Sequence, residues 1–280
     1  MKKRTAVLFI DIIVLMALSF SAFAQDHVFT TTNVVMVTVT NIVTVTNIVT
    51  KTDAGTTTNQ VAQAPKYPWE SSISAGLSLT KGNSDTLLTT AAFKTRKKTP
   101  ENEFMFGVDG AYGESDSVRN NETLHAVSQY NHLFSDRLYA FLNLEALHDG
   151  IADLQYRFTF SPGAGYYFIK NTNTTFAGEF GPGLITQRLG GDDTTYAILR
   201  LAERYEHKLN DGARIWEKAE ILPQVNKLQN YLVNAEVGAE AALTKTFSLR
   251  VTLQDNFVYE PAPGRKKNDV KLISGLVYKF

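Results

Sequence analysis

LQYRFTFSPGAGYYF, residues 154–168, is the stretch whose reading decides the fold. Leu154, Tyr156, Phe158, Phe160, Ala164, Tyr166 and Phe168 share one parity. Gln155, Arg157, Thr159, Ser161, Gly163 and Gly165 share the other. A period of two is the signature of a β-strand, whose side chains point alternately to opposite faces. One face is dense in large aromatics, while the other carries glycine, hydroxyl and an arginine. The stretch is long beside the usual soluble strand of about 5–6 residues, and it suits a tilted strand crossing a bilayer, which needs about 9–11.

The same alternation recurs on both sides of it. Upstream, strands are expected over 69–80, 86–97, 103–113, 124–134 and 138–146. Downstream they are expected over 176–184, 197–205, 214–222, 231–241, 247–257 and 269–280. Residues 214–222 alternate poorly. The count is twelve, an even number, so the chain returns to the side from which it enters. The closing strand ends in SGLVYKF, residues 274–280, with Val270, Leu272, Leu276, Tyr278 and Phe280 on one parity. A terminus that apolar has to be held by a neighbour, because untethered ends fray.

Charge is concentrated on the parity opposite the aromatics: Lys94, Arg96, Asp109, Arg157, Glu179, Arg200, Arg204, Glu236, Glu240 and Arg250. A soluble sandwich would place such residues in water outside. A barrel in lipid places them within, since every backbone polar group in hydrocarbon needs a partner and a sheet supplies one throughout only by closing on itself. The connections favour the barrel. TPEN, SDR, KNTN, LNDG and TKT are short, while SDSVRNN, DGIAD, QRLGGDD, PQVNKLQ and EPAPGRKKN are longer, as expected of periplasmic turns and external loops. Two aromatic belts are expected. One comprises Trp69, Phe104, Phe134, Phe168, Phe176, Tyr205, Phe247 and Phe280; the other Tyr112, Tyr156, Tyr231, Phe257 and Tyr259. Glu203 and Asp255 fall on the lipid parity near strand ends, where a carboxylate costs less than about 1 kcal/mol. The expected fold is therefore all-β: an antiparallel up-and-down transmembrane β-barrel of about 12 strands over residues 67–280, in the outer membrane and in contact with its lipid.

The N-terminus agrees with that location. Lys2, Lys3 and Arg4 precede an apolar run from Ala6 to Phe20, broken only by Asp11, and Ala22 and Ala24 stand in an A-x-A arrangement. Residues 1–24 therefore read as a signal peptide cleaved between Ala24 and Gln25. Residues 25–66 form a Thr/Val/Asn-rich low-complexity arm and linker, in which TNIVTV and TNIVTK repeat back to back. This segment is either a docking arm of β character or a solvated linker. Mean hydropathy is −0.15, the formal charge is zero and there is no cysteine. These numbers exclude a bundle of helical spans, give no basic excess for nucleic acid and leave no thiolate metal site.

WESSISAGLSLTKGNSDT (69–86), GAGYYFIKNTNTTFAGEFGPGL (163–184), LRLAERYEHKL (199–209) and YEPAPGRKKNDVKLISGLVYKF (259–280) together resemble the salt-induced outer-membrane proteins, a family otherwise filed as a domain of unknown function. The resemblance spans about Trp69 to Phe280. It implies an outer-membrane β-barrel, and the family's name implies expression linked to ionic or osmotic conditions. It carries over no catalytic residue. Gly275, Tyr278 and Phe280, spaced G-x-x-aromatic-x-aromatic, also resemble the terminal signal read by the barrel-assembly machinery, with Ile273 where a polar residue is usual.

Chemistry is sparse. His27, His125, His132, His148 and His207 lie in no nucleophile motif, and no metal-ligand or cofactor spacing occurs. His148 and Asp149 are the best candidates for an outer-membrane lipid-acting hydrolase, and Asp192 and Asp193 for a cation. Arg265, Lys266 and Lys267 offer charge to lipid phosphates or to water. The inward set Arg157, Glu179, Arg200, Arg204, Glu236 and Arg250 either lines a narrow ion or solute path or forms salt bridges that plug a small lumen. The chain is read as a non-enzyme: a structural barrel or a narrow channel.

Overall fold

The computed structural model describes residues 67–80 and 86–280. The signal peptide with its Ala24–Gln25 cleavage, the 25–66 arm and the KGNSD turn at 81–85 lie outside them. Among the described residues twelve strands form, each hydrogen-bonded to its sequence neighbours, and β1 also pairs with β12, so the sheet closes. They are β1 (Trp69–Thr80), β2 (Thr86–Lys98), β3 (Asn102–Ser115), β4 (Val118–Leu133), β5 (Leu138–Asp149) and β6 (Leu154–Lys170). The second half comprises β7 (Thr174–Leu189), β8 (Asp192–Asn210), β9 (Ala213–Gln224), β10 (Lys227–Ala242), β11 (Phe247–Val258) and β12 (Asn268–Lys279). All pairings are antiparallel.

The apolar parity faces outward. Ile73, Leu142, Phe158, Phe160, Phe180, Leu184, Leu201, Leu249 and Leu272 are all exposed large hydrophobics. A water-soluble fold buries such residues; here they clothe the cylinder. At the rim where β1 begins, the near rim, aromatic rings meet edge to face or tilted. Trp69 lies 5.8 Å from Phe104, Phe168 lies 5.4 Å from Phe176, and Phe247 lies 5.2 Å from Tyr278. At the far rim Tyr231 lies 5.6 Å from Phe257 and 5.4 Å from Tyr259. Both belts expected from the sequence thus show ring contacts at several points: Phe168 with Phe176, Phe247 with Tyr278 and Tyr231 with Phe257 join neighbouring strands, and Trp69 reaches past β2 to Phe104 on β3.

The far-rim connections differ from the expected long loops. SDSVRNN is a hairpin: β3 and β4 run on through it to a two-residue turn, Asp116 and Ser117, with φ of 50° and 63°. That pair of positive values suits the primed turn that matches the strand twist. QRLGGDD likewise tightens to Gly190 and Gly191, with φ of 61° and 88°, and PQVNKLQ to Val225 and Asn226. The polar residues assigned to loops are strand extensions beyond the apolar band. Among the described far-rim connections only 259–267 is long.

β9 explains its own poor alternation. Arg214, Trp216, Lys218, Glu220 and Leu222 share one face, and Ile215, Glu217, Ala219 and Ile221 the other. Each face mixes apolar and charged residues. Glu217 joins Glu203 and Asp255 on the outward side. Glu217 pairs with Tyr205, Glu203 is two residues from Tyr205, and Asp255 is two residues from Phe257. Each outward carboxylate therefore sits one outward position or less inside an aromatic belt.

A candidate functional site in the lumen

Side chains from the inward faces of β4, β5, β8, β9, β11 and β12 converge on three carboxylates carried by β7 and β10. Glu179, on β7, is 8% exposed and accepts four hydrogen bonds. Its donors are Gln129 Nε2 at 2.7 Å, Tyr139 OH at 2.8 Å, Arg200 Nη1 at 2.8 Å and Arg204 Nη2 at 3.1 Å. Arg200 also donates through Nε to Glu220 Oε2 at 3.0 Å. Glu240, on β10 and 3% exposed, receives Arg214 Nη2 at 3.0 Å and Arg250 Nη2 at 2.8 Å, and Lys279 completes its cationic shell. Glu236 accepts from Trp216 Nε1 at 2.7 Å, Lys218 Nζ at 3.3 Å and Gln254 Nε2 at 3.1 Å. A charge withdrawn from water is tolerated when a cation and further hydrogen-bond donors surround it, and each of the three carboxylates has at least one cationic partner.

The six lumen residues singled out from the sequence all point inward, but they do not form one cluster. Glu179, Arg200 and Arg204 meet directly. Arg250 belongs to Glu240, and Glu236 has its own donors. Arg157 stands apart, donating to Gln187 Oε1 at 2.8 Å.

Five aromatics on the polar parity escaped the sequence reading, one of them Tyr196 on β8, packed against buried Ile185, Ile198, Leu222 and Leu232. Tyr139, Phe141 and Tyr167 are buried with Leu133 and Ala177 inside the β4–β7 wall, and Trp216 lies on β9. Each of three rings covers a glycine of the next strand. An added Cβ would fall 2.2 Å from the Tyr139 ring at Gly165, 2.6 Å from the Phe141 ring at Gly163 and 2.0 Å from the Trp216 ring at Gly238. The signal in the sequence is a glycine run on one strand paired with aromatics of the same parity on its neighbour, as glycine leaves the ring room to lie along the wall. His125 also escaped: its Nδ1 lies 3.2 Å from Asp109 Oδ1 and its Nε2 2.9 Å from Glu145 Oε1, which ties β3, β4 and β5 together.

Two ion pairs cross the bore. Arg96 on β2 lies 3.9 Å from Glu206 on β8, and these strands are six apart in the ring of twelve. Near the far rim Lys271 on β12 lies 3.7 Å from Asp149 on β5. Twelve strands spaced about 4.8 Å and tilted about 45° would enclose a circle roughly 26 Å across. An arginine and a glutamate with such a contact between them reach only about 15 Å from Cα to Cα. The opposite walls therefore approach each other, and the bore is flattened where Arg96 meets Glu206.

The far mouth is strapped. Residues 259–267 fold onto the β7–β8 turn, where Ala262 is 4% exposed, and a Cβ on Gly190 would stand 3.2 Å from Pro263 and 3.3 Å from Ala262. Gly190 N donates to Asp153 O at 2.9 Å, and Lys227 pairs with Glu260. The tips of the last four hairpins are thereby joined. Of this loop's basic run, Lys267 lies over the Tyr259 ring at 4.3 Å.

The hydrolase candidates are engaged in the framework. Asp149 Oδ1 accepts from Ile151 N and Ala152 N, and His148 Nδ1 faces Gln155 O at 2.9 Å. Asp193 accepts from Tyr156 OH at 2.7 Å. Among the described residues no group of three His, Asp or Glu side chains is placed to hold a metal ion. Gly275, Tyr278 and Phe280 lie at the closing seam. Phe280 N donates to Ser71 O at 3.0 Å, and its ring stacks on Tyr278 at 5.7 Å.

A family model described as "Protein of unknown function, DUF481" matches residues 73–280. No curated protein matches the chain. Solved structures similar to it include the NanC porin, at 8% identity and a TM-score of 0.48 over 75% of this chain and 100% of that one. The translocator domain of the autotransporter NalP from Neisseria meningitidis is 12% identical, with a TM-score of 0.43 over 79% and 90%. The KdgM porin is 10% identical, with a TM-score of 0.43 over 76% and 99%.

Proposed function

The chain belongs to the DUF481 family of proteins of unknown function, and from that premise we propose that it is an outer-membrane barrel whose lumen is closed by its own charges, a structural element rather than an open diffusion pore. Export by residues 1–24, and assembly directed by Gly275, Tyr278 and Phe280, complete this reading. The near rim is then periplasmic and the far rim external. The outward apolar band between two aromatic belts supports the membrane placement.

The observation that carries the closed state is the pair of bridges spanning the bore, Arg96 to Glu206 and Lys271 to Asp149. Between them lie Arg157, Glu179 and Arg200, each no more than 8% exposed. An ion entering would have to break charge-assisted hydrogen bonds that nothing on its path replaces. The family resemblance to salt-induced proteins fits a lumen held by ion pairs, since the bridges at its two ends are the pairs that mobile ions screen.

Planar-bilayer recording tests this directly. The folded protein is expected to give no steady conductance at moderate ionic strength. A stable ohmic step from every inserted molecule would overturn the proposal in favour of a constitutive channel.

A further inference from the structure

The seam that closes the barrel is short. β1 and β12 share four register pairs, from Ser72 with Lys279 to Ala75 with Leu276, extended by the reciprocal Ser71 and Phe280 hydrogen bonds. Every other neighbouring pair shares ten to sixteen. The pairing stops at Gly76 and Gly275, where the two backbones press together. An added Cβ would fall 2.3 Å from Ser274 O at Gly76 and 2.7 Å from Ala75 O at Gly275. Beyond that crossing β1 continues to Thr80, paired only with β2, and β12 extends back to Asn268, paired only with β11. The result is a V-shaped gap in the far half of the wall.

A cavity of about 280 Å³ opens beside the gap, between β12 and residues of β2, β3 and β4. Its lining includes Leu87, Val270 and Leu272 from the outward face together with Leu88, Lys271 and Ile273 from the inward face. A pocket on one side of a sheet is lined by one parity. This one is lined by both, as a passage through the wall would be, and Thr90, Asn120 and Asn121 add polar groups to it.

We propose that this seam is a lateral binding site for one acyl chain of a membrane lipid, entered from the outer leaflet. The inference rests on the membrane placement proposed above. In hydrocarbon an open sheet edge leaves amide and carbonyl groups without partners, each at a cost of several kcal/mol. An amphiphile answers both needs. Its chain lies against Leu87, Val270 and Leu272, and its headgroup oxygens face the unpaired edge. An added strand is a poorer occupant, as it needs about 4.8 Å on each side and the V narrows to contact at Gly76.

The chain contains no cysteine, so single spin labels report cleanly. Labels placed by Leu88→Cys and Ile273→Cys probe the gap from its two strands. Leu142→Cys, on the outward face, is the lipid control, and Ser72→Cys, inward beside the paired part of the seam, is the lumen control. Each variant is folded into phospholipid vesicles and its heat-modifiable gel mobility is checked. Relaxation by oxygen, which concentrates in hydrocarbon, is compared with relaxation by a water-soluble nickel chelate. The proposal expects the oxygen-to-chelate ratio at both gap labels to lie within about twofold of the Leu142 value, and well above that at Ser72. A lipid-like ratio at Leu142 with aqueous or fully shielded ratios at Leu88 and Ile273 would overturn the seam alone. An aqueous ratio at Leu142 would overturn the membrane placement together with it.

Discussion

Replacing Glu179 with alanine removes the acceptor on which four donors converge. Arg200 keeps its second partner, Glu220, but Arg204 loses its ion pair among the described residues. Breaking a buried pair from one side costs about 3–5 kcal/mol, because the remaining charge stays desolvated. Tyr139 and Gln129 each lose an acceptor as well, an effect of about 1–3 kcal/mol when the group stays dry. These terms overlap, since one water admitted to the site serves several donors, so a total of about 3–5 kcal/mol is expected. Urea unfolding from vesicles, followed by gel mobility and by the fluorescence of Trp69 and Trp216, measures it. Glu179→Gln, which keeps an acceptor and loses the charge, should fall between wild type and alanine. Adding Arg204→Met to Glu179→Ala should recover stability, because it removes the stranded cation. A loss below about 1 kcal/mol for Glu179→Ala, with no recovery in the double variant, would refute the reasoning and mean that the lumen there is wet enough to solvate Arg204.

Arg96→Ala should cost less than about 1 kcal/mol, since Arg96 and Glu206 are 34% and 29% exposed, and Arg96→Ala combined with Lys271→Ala removes both bridges across the bore and should produce conductance in planar bilayers where wild type has none. Gly238→Ala forces a Cβ into the Trp216 ring and should destabilise by about 1–3 kcal/mol in the same urea assay, an effect that Trp216→Leu relieves. Leu142→Arg, on the outward face, should cost about 2–4 kcal/mol in vesicles, which a residue facing water would not. Phe280→Ala removes the ring stacked on Tyr278, and a smaller heat-modifiable fraction in outer-membrane preparations is the expected outcome.

Most of the architecture is legible in the sequence, for one physical reason. In a closed sheet between lipid and a polar interior, the residue at each position is dictated by parity alone, and parity is local. Residues 156–168 carry it apart from the Pro162 step and Tyr167, an aromatic on the inward face. Where both faces are mixed, as around Trp216 and Glu217, the pattern fades although the strand is as regular as its neighbours. The far-rim hairpins were misread as loops because above the apolar band both faces meet water and alternation ends, while hydrogen bonding continues. The lumen contacts were beyond reach. Arg96 and Glu206 are 110 positions apart in sequence and meet only because the ring is flattened, a property of the whole sheet that no short window encodes.

The outward carboxylates also set how deep the cylinder floats. Glu203 and Glu217 lie just inside one belt and Asp255 just inside the other. A shift along the membrane normal by one outward position, about 5 Å, carries an acid from headgroup water toward oil whichever way it goes. The two ends act as opposed stops, like load lines painted at bow and stern. Lipid must then adjust to protein: a thick bilayer has to pinch inward around this barrel, and a thin one receives it without deformation.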